Sequence, residues 1–373
     1  MNAPLTAITM PKWGLTMTEG KVVAWLRNAG VSFAPGDELL EIETSKITNV
    51  VEAEAPGTLL RVVAPEGATL PIGGLLAVVG SADVPAADID AFVSGFVVAE
   101  PDEAVAETAE APAPHMLDVA GTRLRYLDIG SGAGVPMLLL HGFGADLNTW
   151  MFNQPAWAEG RRVIALDLPG HGGSARDVGT GDAETLRQAV EAFVAARDFG
   201  PMHVVGHSLG GALAALLAAR KPDLVRSLTL IAPAGLGTEI NATFIEGFVR
   251  AARRKDAAEV LQLLVHDPAL VSRTMVEDVL RFKRLDGVAD ALAAIAQAWF
   301  AGGQQQVSVA ADLARANIPV QLIWGREDRI VPVAHAQAAP AQVVTHVLND
   351  AGHLPHMEKS GEVNRLIRRF VEG

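Results

Sequence analysis

The first 80 residues contain two stretches that repeat each other at a constant offset of 37. EGKVVAWLRNAGVSFAPGDELLEIE aligns with PGTLLRVVAPEGATLPIGGLLAVV. Glycines then fall on glycines: Gly20 on Gly57, Gly30 on Gly67 and Gly36 on Gly73. Glycines that recur in this way mark turns needing positive φ or a close approach of the backbone. Two such halves of short alternating strands predict a small all-β sandwich with approximate two-fold symmetry over residues 1–80.

One lysine stands between the two halves of this repeat. The segment GDELLEIETSKITNVVEAEAPG, residues 36–57, alternates apolar and polar residues on either side of Lys46. Two short strands with this turn between them would display the lysine amine at a hairpin tip, in water. The alternative is an ordinary solvated turn residue, but the position at the midpoint of the repeat argues against it.

Residues 81–114 differ in composition from both neighbouring regions. They hold eight acidic residues and no basic ones, in a chain whose net charge is −13. Their later part is rich in alanine, proline and glutamate, which predicts a charged, semi-extended linker. The piece AFVSGFVV, residues 91–98, is too apolar for a solvated linker and is a candidate for docking on a neighbouring domain.

The composition excludes several classes of function. The chain has no cysteine, which rules out disulfides, thiolate metal sites and cysteine nucleophiles. No cluster of residues has metal-ligand spacing, and no basic footprint indicates a nucleic-acid partner. No apolar run approaches the length of a membrane span. The start MNAPLTAITM lacks the pattern of a signal peptide, so we expect a cytoplasmic protein.

From residue 115 onward, short apolar strands alternate with helices. This rhythm is typical of an α/β domain built on a mainly parallel sheet. Residues 236–305 interrupt it with a helical stretch that shows no strand signal. We therefore expect an α/β domain over residues 115–373 with a helical cap at about 236–305.

The candidate nucleophile of this domain is Ser208, in the string GHSLGG at residues 206–211. The string follows an apolar strand and precedes a helix, where a sharp turn would expose the serine. Flanking glycines are needed there because side chains would clash. The alternative, an idle serine in a glycine-rich turn, is disfavoured by partners that follow three other strands.

These partners lie in three loops. In HGFG, after the strand MLLL, the backbone N–H of Phe143 would join that of Leu209 in an oxyanion hole. GREDR places Asp328 after another strand, and AGH places His353 after the last strand. His353 would deprotonate Ser208, and Asp328 would fix the histidine tautomer.

Residues 115–373 thus resemble the α/β-hydrolase family, whose triads run in the order Ser208, Asp328, His353 and whose acid lies in G-x-x-D-x-x-x-P, here GREDRIVP. The resemblance implies the fold and the nucleophile. It does not specify the substrate, because one fold hosts many reactions.

Residues 1–80 resemble the lipoyl domains of 2-oxo acid dehydrogenase acyltransferases. The resemblance covers MPKWGLTMTEGKVVAWL, the hairpin GDELLEIETSK and the return EAPGTL. Biotin carriers share this fold, but their lysine lies between two methionines, whereas Lys46 lies between Ser45 and Ile47. The resemblance implies lipoate bound covalently to Lys46.

A lipoyl domain, an acidic linker and an α/β-hydrolase domain in this order resemble the acetyltransferase components of bacterial acetoin dehydrogenase complexes. This resemblance implies transfer of an acetyl group between lipoyl-Lys46 and coenzyme A. It also implies two partner enzymes, a thiamine-diphosphate-dependent acetoin dehydrogenase component and dihydrolipoamide dehydrogenase.

Two alternatives stay open at this point. In one, the serine domain is a plain hydrolase of esters, thioesters or C–C bonds, fused to a lipoyl carrier that serves another enzyme. In the other, the chain is mainly a carrier and scaffold, against which the intact triad argues.

Overall fold

The computed structural model describes residues 5–11, 13, 17–44, 48–53, 55–97 and 112–373. The chain divides into two compact units, with residues up to 111 in the first and nearly all residues from 112 onward in the second. Two sequence expectations fall on segments outside the described residues: the structure of Lys46 itself and that of the linker over 98–111.

The first unit is a sandwich of two four-stranded sheets. Its strands are β1 Thr6–Thr9, β2 Glu19–Trp25, β3 Ser32–Phe33, β4 Glu38–Glu43, β5 Thr48–Glu52, β6 Gly57–Val62, β7 Thr69–Pro71 and β8 Leu75–Gly80. One sheet has the order β1-β8-β6-β3 and the other β5-β4-β2-β7. Val22, Leu40 and Ile42 of the second sheet share one core with Leu59 and Leu76 of the first. The predicted all-β sandwich is confirmed.

The glycine repeat has a conformational basis in this sandwich. Gly30 and its repeat partner Gly67 have φ of +88° and +84°, in the region that favours glycine. Gly36 and its repeat partner Gly73 likewise have positive φ, at +88° and +78°. Equivalent positions of the two halves therefore make equivalent turns.

A helix follows the sandwich inside the segment that the sequence analysis treated as a linker. This helix, α1, spans Ala86–Gly95. Ile89 is buried against Leu75 and Val78 of β8, and three further apolar residues of the helix region pack around it. These residues, with Ile89, are Phe92, Val93 and Phe96. Their spacing of three and four residues gives one apolar helix face. Three of them belong to the piece at 91–98 that was expected to dock on a neighbouring domain, and they pack on the sandwich.

The second unit is built on one eight-stranded sheet. Its strands are β9 His115–Val119, β10 Thr122–Ile129, β11 Gly134–Leu140, β12 Arg161–Leu166, β13 Met202–His207, β14 Val225–Ile231, β15 Val320–Gly325 and β16 Val344–Leu348. They lie in the order β16-β15-β14-β13-β11-β12-β10-β9. The six strands from β16 to β12 pair in parallel, and β10 and β9 pair antiparallel at one edge. The carboxyl ends of the parallel strands therefore share one edge of the sheet.

Helices pack on this sheet and form an insertion between β14 and β15. They are α2 Gln154–Trp157, α3 Ala183–Arg197, α4 Leu209–Arg220, α5 Ala242–Arg250, α6 Arg254–Leu261, α7 Arg273–Lys283, α8 Val288–Phe300, α9 Ala310–Arg315, α10 Pro355–Glu358 and α11 Ser360–Glu372. Helices α5 to α8 belong to the insertion, which we call the cap. Where the cap leaves the sheet and returns to it, Glu239 and Gln304 form a single antiparallel bridge. Within the part of the chain that the structure describes, no helix combines the length and the apolar character needed to cross a bilayer.

Candidate active site

Ser208 occupies a strained turn at the centre of the sheet. It links β13 to α4 with φ of 52° and ψ of −116°, values that residues other than glycine rarely adopt. Such a conformation costs on the order of 1–3 kcal/mol, which the surrounding fold must offset. The turn leaves Ser208 at the carboxyl edge of the sheet with only 6% of its surface exposed.

The glycines of GHSLGG are required by close backbone packing. A Cβ on Gly206 would lie 2.4 Å from the carbonyl oxygen of Gly210. A Cβ on Gly210 would lie 2.3 Å from the carbonyl oxygen of Leu140, in the neighbouring strand. Both distances are far below contact distance, so any side chain there would push β11 and α4 apart. This packing is the physical reason for the glycines of the GHSLGG motif.

Asp328 and His353 form a buried pair on loops that follow β15 and β16. His353 Nδ1 donates to Asp328 Oδ2 at 2.8 Å, and the two side chains are 3% and 0% exposed. The other carboxylate oxygen accepts from the backbone N–H groups of Ile330 and Val331 at 2.8 and 3.0 Å. These bonds fix the carboxylate and keep the proton of His353 on Nδ1. Nε2 of His353 is thus the nitrogen left to accept a proton.

His207 links this pair to the serine turn. Its ring lies 4.7 Å from that of His353, measured between centroids, and its Nε2 donates to the His353 carbonyl oxygen at 2.8 Å. His207 directly precedes Ser208 in the chain. The structure therefore brings the loops of Ser208, Asp328 and His353, three distant parts of the sequence, to one place at the carboxyl edge of the sheet.

The HGFG loop lies against the serine turn. A Cβ on Gly142 would be 3.1 Å from Ser208 Cβ, so residue 142 must be glycine for the loop to come this close. Leu209 is the first residue of α4, where backbone N–H groups have no acceptor within the helix. The N–H groups of Phe143 and Leu209, the residues expected to form an oxyanion hole, thus belong to two backbone segments that meet at Ser208.

Aromatic side chains of the cap cover the HGFG loop. The Phe143 ring makes edge contacts with Phe248 of α5 and Phe300 of α8, with centroids 5.8 and 5.9 Å apart. Gly144 lies so near Phe248 that a Cβ there would be 2.4 Å from its ring. Lys283 of α7 holds the end of α5 by donating to the carbonyl oxygens of Val249 and Ala251. Apolar side chains of the cap therefore pack directly against the expected oxyanion loop.

The other histidines near the site are held neutral. Burial lowers the pKa of His141, lowers that of His171 to about 3, and lowers that of His207 well below its usual value. His141 accepts from the Leu168 N–H at 3.0 Å through Nε2 and bonds the Gly142 carbonyl oxygen through Nδ1. These rings act in packing and loop positioning.

The hairpin that contains Lys46 is defined by its two strands. β4 and β5 pair antiparallel, with Glu43 opposite Thr48, so residues 44–47 connect them. Lys46 itself lies outside the described residues.

Comparisons with known proteins assign families to both units. Residues 6–79 match the family described as biotin-requiring enzymes, which covers biotin and lipoyl domains. Residues 135–360 match the family described as the α/β-hydrolase fold. Both matches agree with the fold class expected from the sequence.

Two curated relatives match the chain over nearly its whole length. A Pseudomonas putida protein named dihydrolipoyllysine-residue acetyltransferase component of acetoin cleaving system is 45% identical over 364 residues, 98% of each chain. A protein of the same name from Cupriavidus necator is 43% identical over 373 residues, which cover 100% of this chain and 99% of that protein. The chain belongs to this family of acetyltransferase components.

Solved structures resemble a large part of this acetyltransferase component. A bacterial membrane phospholipase A aligns over 77% of this chain and 95% of its own, with 27% identity and a TM-score of 0.62. The 2-hydroxy-6-oxo-6-phenylhexa-2,4-dienoate hydrolase of a Rhodococcus species aligns over 70% of this chain and 99% of its own, with 21% identity and a TM-score of 0.64. The second likeness shows the fold alone.

Sequence reasoning missed two side chains that shape the site of the acetyltransferase component. Trp324 Nε1 donates to Asp328 Oδ2 at 3.0 Å and to the Val331 carbonyl oxygen at 3.1 Å. Glu358 accepts from the backbone N–H of Gly352, beside His353, at 2.8 Å. A tryptophan in the strand before the acid and a buried glutamate after the base were the available signals, but neither belongs to a motif with a known spacing.

Proposed function

We propose that this chain moves an acetyl group between a thiol on Lys46 and the thiol of coenzyme A, with Ser208 as the acyl carrier between them. One observation carries the proposal. A strained serine turn, beside a buried Asp328–His353 pair, occurs in the same chain as a lipoyl-type hairpin. Relatives named as acetyltransferase components of an acetoin cleaving system match this chain over nearly its whole length. Lipoate attached to Lys46 supplies a thiol that can carry an acyl group.

In the first half-reaction, Ser208 Oγ attacks the carbonyl carbon of the thioester substrate. His353 Nε2 takes the hydroxyl proton, because Asp328 holds the other ring nitrogen in its protonated form. The carbonyl oxygen gains negative charge, and the N–H groups of Phe143 and Leu209 stabilise it. When the intermediate collapses, the carbon–sulfur bond breaks and His353 returns the proton to the departing thiolate. Ser208 is left as an acetyl ester.

In the second half-reaction, the coenzyme A thiol gives its proton to His353 Nε2 and its sulfur attacks the acetyl ester. Collapse breaks the ester bond, and Ser208 Oγ takes the proton back from His353. Bonds and protons balance, and no redox step is needed. The result is a ping-pong transfer in which the same three side chains act twice.

The cap supports a thiol rather than water as the acceptor. Phe248 and Phe300 pack on Phe143, so the expected oxyanion loop faces apolar side chains. A site covered by apolar side chains in this way excludes water and protects the acetyl ester from hydrolysis. The relatives are named as components of an acetoin cleaving system. We therefore propose an acetoin dehydrogenase component and dihydrolipoamide dehydrogenase as partners, in the cytoplasm.

The proposal is tested by supplying acetylated dihydrolipoamide and following acetyl-coenzyme A. We expect formation of acetyl-coenzyme A that depends on Ser208 and exceeds the release of free acetate. Acetate released at the same rate with and without coenzyme A would instead identify a hydrolase. Intact-mass analysis tests the carrier site: a lipoyl adduct absent from Lys46→Ala is expected, and a biotin adduct would contradict it.

A further inference from the structure

The loop that carries His353 is fastened to cap segment 262–266, which follows helix α6. The backbone N–H of His353 donates to the carbonyl oxygen of Leu264 at 2.7 Å. A Cβ on Gly352 would lie 2.8 Å from the backbone nitrogen of His266, so the two backbones are in direct contact. The position of the expected base therefore depends on the cap as well as on the sheet.

Glu358 of α10 ties the same two backbones together. Its Oε1 accepts from the N–H of Gly352 at 2.8 Å, and its Oε2 accepts from the N–H of His266 at 2.6 Å. Only 7% of Glu358 is exposed. A single buried carboxylate thus bridges the histidine loop on one side and the cap segment on the other.

We propose that Glu358 is a positioning residue. By clamping the histidine loop to cap segment 262–266, it holds His353 in the position that Ser208 requires. The proposal rests on the proposed function only in that His353 is taken as the base. Glu358 touches neither Ser208 nor His353 side chains in this account; it acts through the backbone of residues 352 and 353.

The bridge needs an ionised carboxylate. Two oxygens that each accept an N–H can do so at full strength only when both lack a proton. Burial raises the pKa of Glu358 to about 7, and hydrogen bonds from the backbone N–H groups of His266, Gly352 and Leu354 oppose the rise. The clamp should therefore be complete above neutral pH and weaken below it. The titratable groups on the elements packed around it are His266 from the cap segment, Asp350 and His353 from the histidine loop, and Glu327 and Arg329 from the loop of Asp328.

The test compares Glu358→Gln with the full-length wild type. The amide keeps the size of the side chain but turns one acceptor into a donor that faces an N–H. Hydrolysis of p-nitrophenyl acetate and fluorophosphonate labelling of Ser208 are measured from pH 5.5 to 9. We expect both rates to fall about tenfold at pH 8, because displacement of a general base by a fraction of an ångström is costly. The ionisation near pH 7 that we expect from Glu358 in the wild-type pH profile should also disappear.

Two further variants keep the test decisive. Glu358→Asp retains the charge but is too short to reach both N–H groups, so it should lower the rates while keeping the ionisation. Glu372→Gln, which removes an exposed charge at the end of α11, is the matched control and should match the wild type. Rates and pH profiles of Glu358→Gln equal to those of the wild type would overturn the proposal.

Hydrogen exchange separates this proposal from the proposed function. In Glu358→Gln, amide exchange should increase in the peptides spanning 262–266 and 351–354, whatever reaction Ser208 performs. Unchanged exchange in both peptides would overturn the clamp even if acetyl transfer were demonstrated. Increased exchange without any transfer to coenzyme A would support the clamp and contradict only the proposed function.

Discussion

The two units present their key residues in opposite ways. Lys46 belongs to a hairpin whose strands, β4 and β5, are neighbours in the chain and pair with Glu43 opposite Thr48. Ser208 stands in a turn whose surroundings come from loops after β11, β15 and β16. Lys46, the carrier residue that we propose, would need only a stable support and access to solvent. The proposed nucleophile, Ser208, would need partners assembled from distant parts of the chain.

The largest expected effect separates the two residues by reaction. Ser208→Ala should reduce turnover of p-nitrophenyl acetate by at least about 10⁴-fold, because the proposed triad of Ser208, Asp328 and His353 would act as a unit. Lys46→Ala should leave this small-ester activity unchanged while abolishing transfer from the chain's own lysine-bound thiol. Loss of small-ester turnover in Lys46→Ala would show that the two units are not separable in this way.

Asp328→Asn should be nearly as severe. The amide would favour the wrong tautomer of His353, and a reduction of kcat by about 10³- to 10⁴-fold is expected. Trp324→Phe removes one of four hydrogen bonds to the same carboxylate and should cost about tenfold or less. Asp223→Asn, an exposed acid of the same unit, serves as the control. Equal kcat values for Asp328→Asn and this control would show that Asp328 is not the acid of the triad.

Acid should destabilise the second unit before the first. All ten histidines lie in the second unit. Burial lowers the pKa of six of them, namely His141, His171, His203, His207, His346 and His356. Each of these histidines has a lower pKa in the folded state than in the unfolded state. Its contribution to stability is therefore complete at pH values above the unfolded-state pKa, about 6.5, and is lost as the pH falls below that value.

Glu358 acts in the opposite direction. Its pKa of about 7 in the folded chain lies above the usual value for glutamate, 4.5, so its contribution to stability decreases as pH rises between these values. The six histidines outnumber it. Calorimetry should therefore show the unfolding midpoint of the second unit falling by several degrees, roughly, between pH 7 and 5. The midpoint of the first unit should change far less, and a parallel fall of both would contradict this explanation.

The smallest expected effect tests the two-fold repeat of the first unit. Gly30 and Gly67 have positive φ and open space around the missing side chain. Alanine at either position should lower the free energy of unfolding of this unit by about 1 kcal/mol, for conformational reasons alone. The two values should agree within the error of denaturant titration. Gly95→Ala, at the end of α1 and without positive φ, is the control, and an equal loss there would contradict the explanation.

The same comparison explains what the sequence could predict. The sandwich was predictable because the glycines at 30, 36, 67 and 73 mark its turns, and all four adopt positive φ. The serine turn was predictable because only glycine fits at 206 and 210. In both cases a local steric requirement restricts the position to glycine, and glycine is visible in the sequence.

Other features left no such mark. The bond from His266 to Glu358 joins residues 92 positions apart, and any buried acceptor of suitable length could make it. The contact of Phe300 with Phe143 likewise depends on how the cap folds back on the sheet. Helix α1 did carry a signal, the apolar spacing of Ile89, Phe92, Val93 and Phe96, but the surrounding acidic and proline-rich composition favoured a linker.

The most direct test of the central claim is to trap the acyl group on the serine. The chain is mixed with acetylated dihydrolipoamide without coenzyme A, quenched with acid, and analysed by peptide mass spectrometry. We predict one acetyl group on the peptide that contains Ser208, and its loss within one turnover when coenzyme A is added, with stoichiometric acetyl-coenzyme A. Formation of acetyl-coenzyme A at the full rate with no acetyl group on Ser208, or from Ser208→Ala, would contradict the account.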